Sequence, residues 1–197
     1  LTLSTHRAEF ALGEPIIVEV ILRCSNAPAR ISGRLDPGYT YTSYLVRGPD
    51  GKEQLFEPLE HIESVPAERT LQSGESLQAS AKLFFGARGW TFGIPGTYQV
   101  RAVFQGAIQP PGDVSSNLLS LTVRAPASTE EQEQARLIMG EDQGKFLIWE
   151  GGDHLTQGVQ ALTTLADRYP DSPHGSYANF ALGISYSRPF KNFKTNV

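Results

Sequence analysis

The side chains that could act as nucleophiles are few in this chain, and they lack partners at a useful spacing. Covalent hydrolysis needs a Ser or Cys nucleophile with a His base and an orienting acid. Cys24 is the one cysteine, and it lies in an apolar segment where a lone Cys usually packs. The nearest approach to a nucleophile elbow, at residues 74–78, lacks its second glycine. We therefore expect no catalytic residues and no enzymatic activity.

Metal and cofactor sites are equally unsupported by the spacing of the ligand-type residues. No two histidines are three or four residues apart, the spacing that places two ligands on one helix face. The histidines are His6, His61, His154 and His174. The turns at Asp36 and Asp50 lack the clustered acidic residues of a calcium loop, and residues 86–89 precede Trp90 rather than a capped helix. The sequence predicts no metal and no cofactor.

Aromatic side chains in turns and loops, and one on a predicted helix, are the candidates for binding a partner. Tyr and Trp bury a large area at low conformational-entropy cost, so they serve as contact residues for a protein or a glycan. The candidates are Tyr39, Tyr41, Tyr44, Trp90, Phe92 and Tyr177. The alternative is that the three N-terminal tyrosines form a cross-strand ladder and that Trp90 and Phe92 close the core.

Composition limits the class of protein further. A chain of 197 residues with 40% hydrophobic and 19% charged residues can fold around a core as one or two domains. The net charge of −4 argues against binding to a nucleic-acid backbone. No apolar run is long enough to cross a membrane, and a single Cys excludes an internal disulfide. Because the first residue is Leu1, we expect a processed chain or a fragment.

Residues 1–124 are predicted to form an antiparallel β-sandwich. Alternating or β-branched apolar residues mark strands, and Gly, Pro and Asp punctuate them. The clearest predicted strands are 16–22, 44–46, 76–85, 97–104 and 117–124. Tyr98 directly follows the residues Pro95, Gly96 and Thr97. Its hydroxyl either pins the preceding loop or the residue is only the first core aromatic of its strand.

After a linker at 125–127, residues 128–197 are predicted to be a helical region. Ser128 and Glu131 have the spacing of a capping box for a helix that runs to about 139. A second helix is expected over 153–169 and a third over 174–187, whereas 141–152 could be strand or helix. The apolar stripes of the hairpin at 153–187 are too wide for one two-helix contact, so either a third surface of the chain covers them or they associate with a partner.

Two stretches of the hairpin resemble the tetratricopeptide-like repeats of bacterial envelope proteins, such as the Tol-Pal accessory and outer-membrane assembly lipoproteins. In those repeats one helix ends in Tyr-Pro-x-Ser and the next closes on Leu-Gly-x-x-Tyr. The matching residues here are 169–172 and 182–186. The resemblance implies a protein-binding role. If the chain is such a module, an apolar flank of the hairpin that stays uncovered is the expected partner site, with Tyr177 as its contact residue.

The N-terminal part resembles immunoglobulin-like modules of bacterial secreted and envelope proteins. The residues that carry this resemblance are 12–16, 71–76 and 95–98. Together the two resemblances imply a non-catalytic exported protein or fragment, located in the periplasm, the cell envelope or outside the cell, that acts as a protein-recognition module. The alternative is an accessory region of a secreted or envelope hydrolase whose catalytic part is not in this chain. A protein is the expected partner, with a glycan as the second candidate and no nucleic acid.

Overall fold

The computed structural model describes residues 1–63 and 68–187. They form a mixed α/β protein, with strands in several sheets up to Arg124 and helices after it. The predicted combination of β and α structure is confirmed at this level, and an immunoglobulin-like topology is not. The chain divides into two compact units. Unit 1 comprises Leu1–Phe10 and Ile16–Arg124, and unit 2 comprises Ala11–Pro15 and the chain from Ala125 onward.

The described residues contain fourteen strands. In chain order they are β1 Thr2–Ser4, β2 Glu9–Ala11, β3 Ile17–Arg23, β4 Ala29–Ser32, β5 Thr42–Arg47, β6 Glu53–Leu55, β7 Glu68–Leu71, β8 Ser76–Lys82, β9 Phe85–Gly86, β10 Gly89–Trp90, β11 Gly96–Phe104, β12 Ala107–Gln109, β13 Val114–Ser115 and β14 Leu119–Arg124.

β11 is the central strand of the largest sheet, whose order is β2-β14-β11-β5-β6, with β13 also paired to β11. Val100 lies opposite Leu119 on one side and Val46 on the other, and both pairings are antiparallel. Alternate β11 residues are buried, namely Tyr98, Val100, Ala102 and Phe104. The predicted strand at 97–104 and its inward face are therefore correct.

Two three-stranded sheets complete most of unit 1, in the orders β1-β3-β8 and β12-β4-β7. β3 contributes Val18, Val20 and Leu22 to the core. The alternation of apolar residues over 76–85 predicts that Leu77 faces the core. It is only half-buried, because it lies near the start of β8, opposite Leu22 near the end of β3.

The Tyr98 hydroxyl pins the preceding loop, as one of the two sequence interpretations predicts. It donates to the Ile94 carbonyl at 2.8 Å and accepts from the Ile94 N–H at 3.2 Å. Burial of the hydroxyl raises the pKa of Tyr98. Phe92 packs edge-on against the same ring, with 5.1 Å between the centroids.

Four helices follow Arg124: α1 Thr129–Ile138, α2 Glu141–Trp149, α3 Thr156–Arg168 and α4 Pro173–Ser187. Ser128 caps α1 by accepting from the Glu131 N–H at 3.1 Å, as the capping box predicts. The Glu131 carboxylate reaches one residue further back than expected and accepts from the Ala127 N–H. The ambiguous segment at 141–152 is mainly helix, and α3 begins at Thr156 rather than at 153.

The apolar flanks of α3 and α4 pack against α1 and α2 as well as against each other. Ile138 of α1 and Phe146 and Leu147 of α2 are completely or almost completely buried in this contact. At the end of α3, the Arg168 guanidinium and the Tyr169 hydroxyl both donate to the Glu133 carboxylate of α1 at 2.7 Å. The third surface required by the wide apolar stripes is thus supplied by the preceding two helices.

The turn at Ala11–Pro15 belongs to unit 2, although it lies between β2 and β3 in sequence. A ring nitrogen of His174 on α4 lies 2.8 Å from the Leu12 carbonyl oxygen. Gly13 has a φ of +81°, and a Cβ at this position would lie 2.8 Å from side-chain carbons of Ile138 and Met139. The turn therefore needs glycine for its backbone conformation and for its fit against α1.

We expect Gly13→Ala to destabilise unit 2 more than Gly74→Ala destabilises unit 1. Gly74 is the control because its φ of +89° is similar, while a Cβ there would meet no atom within 4 Å. Both variants carry the left-handed strain of about 1–2 kcal/mol, and only Gly13→Ala adds overpacking of about 1–3 kcal/mol. Urea unfolding measures both losses of stability, with circular dichroism at 222 nm following the helices of unit 2 and at 215 nm the strands of unit 1. Equal losses in the two units would contradict the packing of the turn against α1.

Candidate functional site

The three N-terminal tyrosines do not form one surface. Tyr44 on β5 is 1% exposed, and its hydroxyl donates to the Leu35 carbonyl. Burial, with a smaller contribution from the charge of Asp36, raises its pKa well above the ordinary value. Tyr44 is therefore a core residue that fixes the segment between Leu35 and β5, and it offers no contact area to a partner.

Tyr39 and Tyr41 lie in the turns before β5 and are partly exposed. The Arg34 guanidinium lies over the Tyr39 ring at 4.9 Å. Gly33 lies close to the Tyr41 side chain, where a Cβ would come within 2.7 Å of the Tyr41 Cβ. Because both residues precede β5, neither belongs to the cross-strand ladder that was the alternative for this group.

Phe92 and Trp90 differ in their exposure. Phe92 is 3% exposed and belongs to the core, which agrees with the alternative interpretation of this pair. Trp90 is half-buried, with its ring 5.6 Å from that of Phe85. Together with the ion-paired side chains of Arg88 and Glu57 it lines a pocket of about 40 Å³. Ligand pockets usually have volumes of about 300–1,000 Å³, so this one is too small to enclose a sugar ring.

Tyr177 lies on α4, a long helix that carries aromatic side chains and no Asp, Glu, Lys or Arg. No acidic or basic residue other than His174 occurs between Pro173 and Ser187. Tyr177, Phe180 and Ile184 share one flank of α4, because spacings of three and seven residues bring side chains to the same side of a helix. The adjoining face of α4 is buried and includes Ala178, Ala181 and Leu182.

Phe180 is the most exposed member of this flank, with 58% of its surface accessible. The Tyr177 and Phe180 rings contact each other, with 6.1 Å between the centroids. A Cβ at Gly183 would have no atom within 4 Å, so the surface is open beside Phe180. We call Tyr177, Phe180, Gly183 and Ile184 the α4 surface. Tyr177 was a candidate contact residue in the sequence analysis, and Phe180 was not. The sequence nevertheless shows that Phe180 has helical spacing from Tyr177 and Ile184.

The inner side of Tyr177 is buried, and this burial changes the pKa of its hydroxyl group. Burial, and secondarily the charge of Glu150, raises the pKa of Tyr177 to about 12. Glu150 ends α2 in the left-handed conformation, with a φ of 54°. The phenol thus stays neutral over the whole physiological range, and it adds no charge to the α4 surface.

Within residues 1–63 and 68–187, no three His, Cys, Asp or Glu side chains are grouped so that they could hold a metal ion. Over the same residues, no helix has the length and apolar character needed to cross a membrane. The candidate contact residues that are at least partly exposed carry no charge; they are Tyr39, Tyr41, Trp90 and the residues of the α4 surface.

The raised pKa of Tyr177 predicts how stability changes at alkaline pH. A proton bound more tightly in the folded state contributes stability below the unfolded pKa, and that contribution is lost as the pH rises from about 10 to about 12. Relative to Tyr177→Phe, the wild-type chain should lose at most about 1.4 kcal/mol for each pH unit in this window. Urea unfolding at a series of pH values measures the difference. Parallel curves for the two proteins would show that Tyr177 ionises normally.

A comparison with protein-family models and with curated protein sequences finds no match. Among solved structures, the chain is similar to Spo0M, a sporulation control protein from Bacillus subtilis, with a TM-score of 0.32 and 14% identity. The similarity covers 69% of this chain and 52% of Spo0M, so the chain spans about half the length of that protein. A likeness this weak supports no conclusion about function.

These comparisons overturn both sequence resemblances: neither the tetratricopeptide-like nor the immunoglobulin-like relationship is supported, and both assignments are wrong. The residues that suggested them have local roles. In the first case, the Ser172 N–H and hydroxyl both donate to the Tyr169 carbonyl, and the Tyr169 hydroxyl binds Glu133. In the second, Pro95 precedes β11, and residues 96–98 are the first three residues of that strand. Short segments of this kind occur in unrelated folds, because the same local backbone geometry is needed in many of them.

Proposed function

We propose that this chain is a non-catalytic protein-recognition module and that the α4 surface contacts the partner. The observation that carries the proposal is Phe180, a large aromatic side chain that is 58% exposed on a helix without Asp, Glu, Lys or Arg. Protein interfaces are enriched in aromatic residues and depleted of charge at their centres. The α4 surface has both properties.

Isolated exposed apolar residues are common and need no functional explanation. Leu55, for example, is 47% exposed, but Glu53 and Glu57 lie two residues away on either side. Phe180 differs because its neighbours on α4 are Tyr177, Ile184 and the small residue Gly183. A partner can therefore approach Phe180 without removing a charged side chain of α4 from water.

The rigidity of α4 favours binding through this surface. The inner flank of α4 is buried against α3, and Ala178 and Ala181 are almost completely inaccessible. The helix is thus fixed before a partner arrives, and the Phe180 ring adds only two rotatable bonds. Pre-organised aromatic contacts of this kind lose little entropy on binding.

The partner surface should be apolar and uncharged where it meets Phe180. A charged group buried against the α4 surface would lose its hydration without gaining an ionic partner, which costs several kcal/mol. The expected partner is therefore a protein with an apolar groove or pocket that receives the Phe180 ring. The glycan alternative has less support, because the pocket beside Trp90 is small.

Three finer expectations accompany this proposal. The strands of unit 1 would form an antiparallel sandwich around one core, to which β3 and β11 contribute the buried residues Val20 and Val100. The exported location, in the periplasm, the cell envelope or outside the cell, stays a prediction. The expected absence of enzymatic activity likewise stays a prediction.

Site-specific photocrosslinking tests the proposed surface. A photoreactive phenylalanine analogue is placed at position 180, and a control analogue at position 118, where Leu118 of unit 1 is 55% exposed. The protein that crosslinks from position 180 and not from position 118 is identified, purified and titrated with the chain. Phe180→Ala should weaken its binding roughly thirtyfold, because a central aromatic contact contributes about 2 kcal/mol or more.

Leu118→Ala is the matched control for this titration, since it removes a similarly exposed apolar side chain away from α4. It should leave the dissociation constant unchanged. Equal affinity of the wild-type chain and Phe180→Ala would contradict the proposal. A covalent dimer of this chain as the only crosslinked product would replace it with self-association.

A further inference from the structure

We infer that unit 1 contains a binding site for a small apolar molecule, an aromatic ring or a branched alkyl group of about six carbon atoms. The site is a pocket of about 130 Å³ beside the end of β3. The residues that form most of its wall are Leu22, Cys24, Ile31, Leu71, Phe104 and Ala107. They come from β3, β4, β7, β11 and β12 and from the residue after β3. This inference is independent of the α4 surface.

The volume of the pocket fits an apolar group of defined size. The pocket has a volume of about 130 Å³ and is open to solvent on one side. An enclosed engineered cavity of about 150 Å³ with similar apolar walls, in another protein, binds benzene. The pocket in unit 1 is close to that size, so a benzene ring fits against its apolar wall.

The chemistry of the wall excludes a strongly polar ligand. Leu22, Ile31, Leu71 and Phe104 are buried aliphatic or aromatic side chains. The Cys24 thiol already donates to the Ala27 carbonyl at 2.7 Å, so its hydrogen is committed within the chain. Arg23 also lines the pocket, and its side chain is exposed to solvent. Water inside such a wall has few hydrogen-bond partners, which favours its replacement by an apolar molecule.

Benzene is a suitable probe for the pocket. Added near its solubility limit, it should raise the melting temperature of the wild-type chain by about 2–4 °C, the shift expected when a ligand is present at about ten times its dissociation constant. Its ring current should also shift the methyl resonances of Leu22, Ile31 and Leu71. The methyl resonances of Leu118, an exposed residue that does not line the pocket, should stay unchanged.

Two substitutions that fill the pocket test whether benzene binds there. Ala107 and Ala29 line the pocket from β12 and β4, and Ala107→Leu or Ala29→Leu should each remove the shift in melting temperature. Ala87→Leu is the matched control, because Ala87 is exposed and does not line the pocket, and it should keep the shift. If one of these variants does not fold, the other still tests whether benzene binds in the pocket.

Two results would overturn the inference. The first is the absence of both a melting-temperature shift and methyl perturbations in the wild-type chain at the solubility limit of benzene. The second is a shift that persists in a folded Ala107→Leu or Ala29→Leu variant, which would place benzene elsewhere.

Discussion

Unit 1 depends on the antiparallel pairing of β11 along both of its edges. β14 and β5 fix its register through pairs such as Tyr98–Leu121 and Val100–Val46. A shift by one residue would turn the Arg101 side chain into the core and Val100 out to solvent, because side chains alternate along a strand. In the observed register, Arg101 instead forms an ion pair with Glu53 on β6.

Several features of unit 1 follow from that register. The Tyr98 side chain is buried where its hydroxyl can bind the Ile94 backbone, and the end of the same strand supplies Phe104 to the wall of the apolar pocket. Tyr44 is drawn into the core because it lies opposite the buried Ala102. The pairing of β11 thus determines which of these aromatic residues are buried in the core. It also explains why a sequence candidate such as Tyr44 is unavailable to a partner.

Much of the local structure was predictable from the sequence, because it rests on short-range signals. Alternation of apolar residues locates β3 and β11, and Ser128 marks the start of α1 through a side-chain cap. The segment at 141–149 could not be assigned from its residues alone, since a short apolar run fits a strand or a helix until its neighbours are known. Leu77 looked like a core residue, but burial near the edge of a sheet depends on what covers it.

The larger errors concern relationships that local patterns cannot determine. The turn at 169–172 and the strand entry at 95–98 suggested two families, yet both are local solutions available to many folds. The grouping of Ala11–Pro15 with the helices had no sequence signal, because the contact of Gly13 with Ile138 joins residues far apart in the chain. Of the candidate site, Tyr177 lies on α4 and is only partly exposed, and its role in binding stays a prediction. Phe180 could be recognised as a candidate contact residue only when the structure showed which flank of α4 is buried.

The central claim, that the α4 surface contacts a protein partner, is tested most directly by hydroxyl-radical footprinting of Phe180. The oxidation rate of its ring is measured in the free chain and in the complex with the purified partner, and Ile94, which is 54% exposed in unit 1, serves as the internal reference. The account predicts that oxidation of Phe180 falls severalfold in the complex while that of Ile94 stays constant. An unchanged rate at Phe180 in a saturated complex would contradict it.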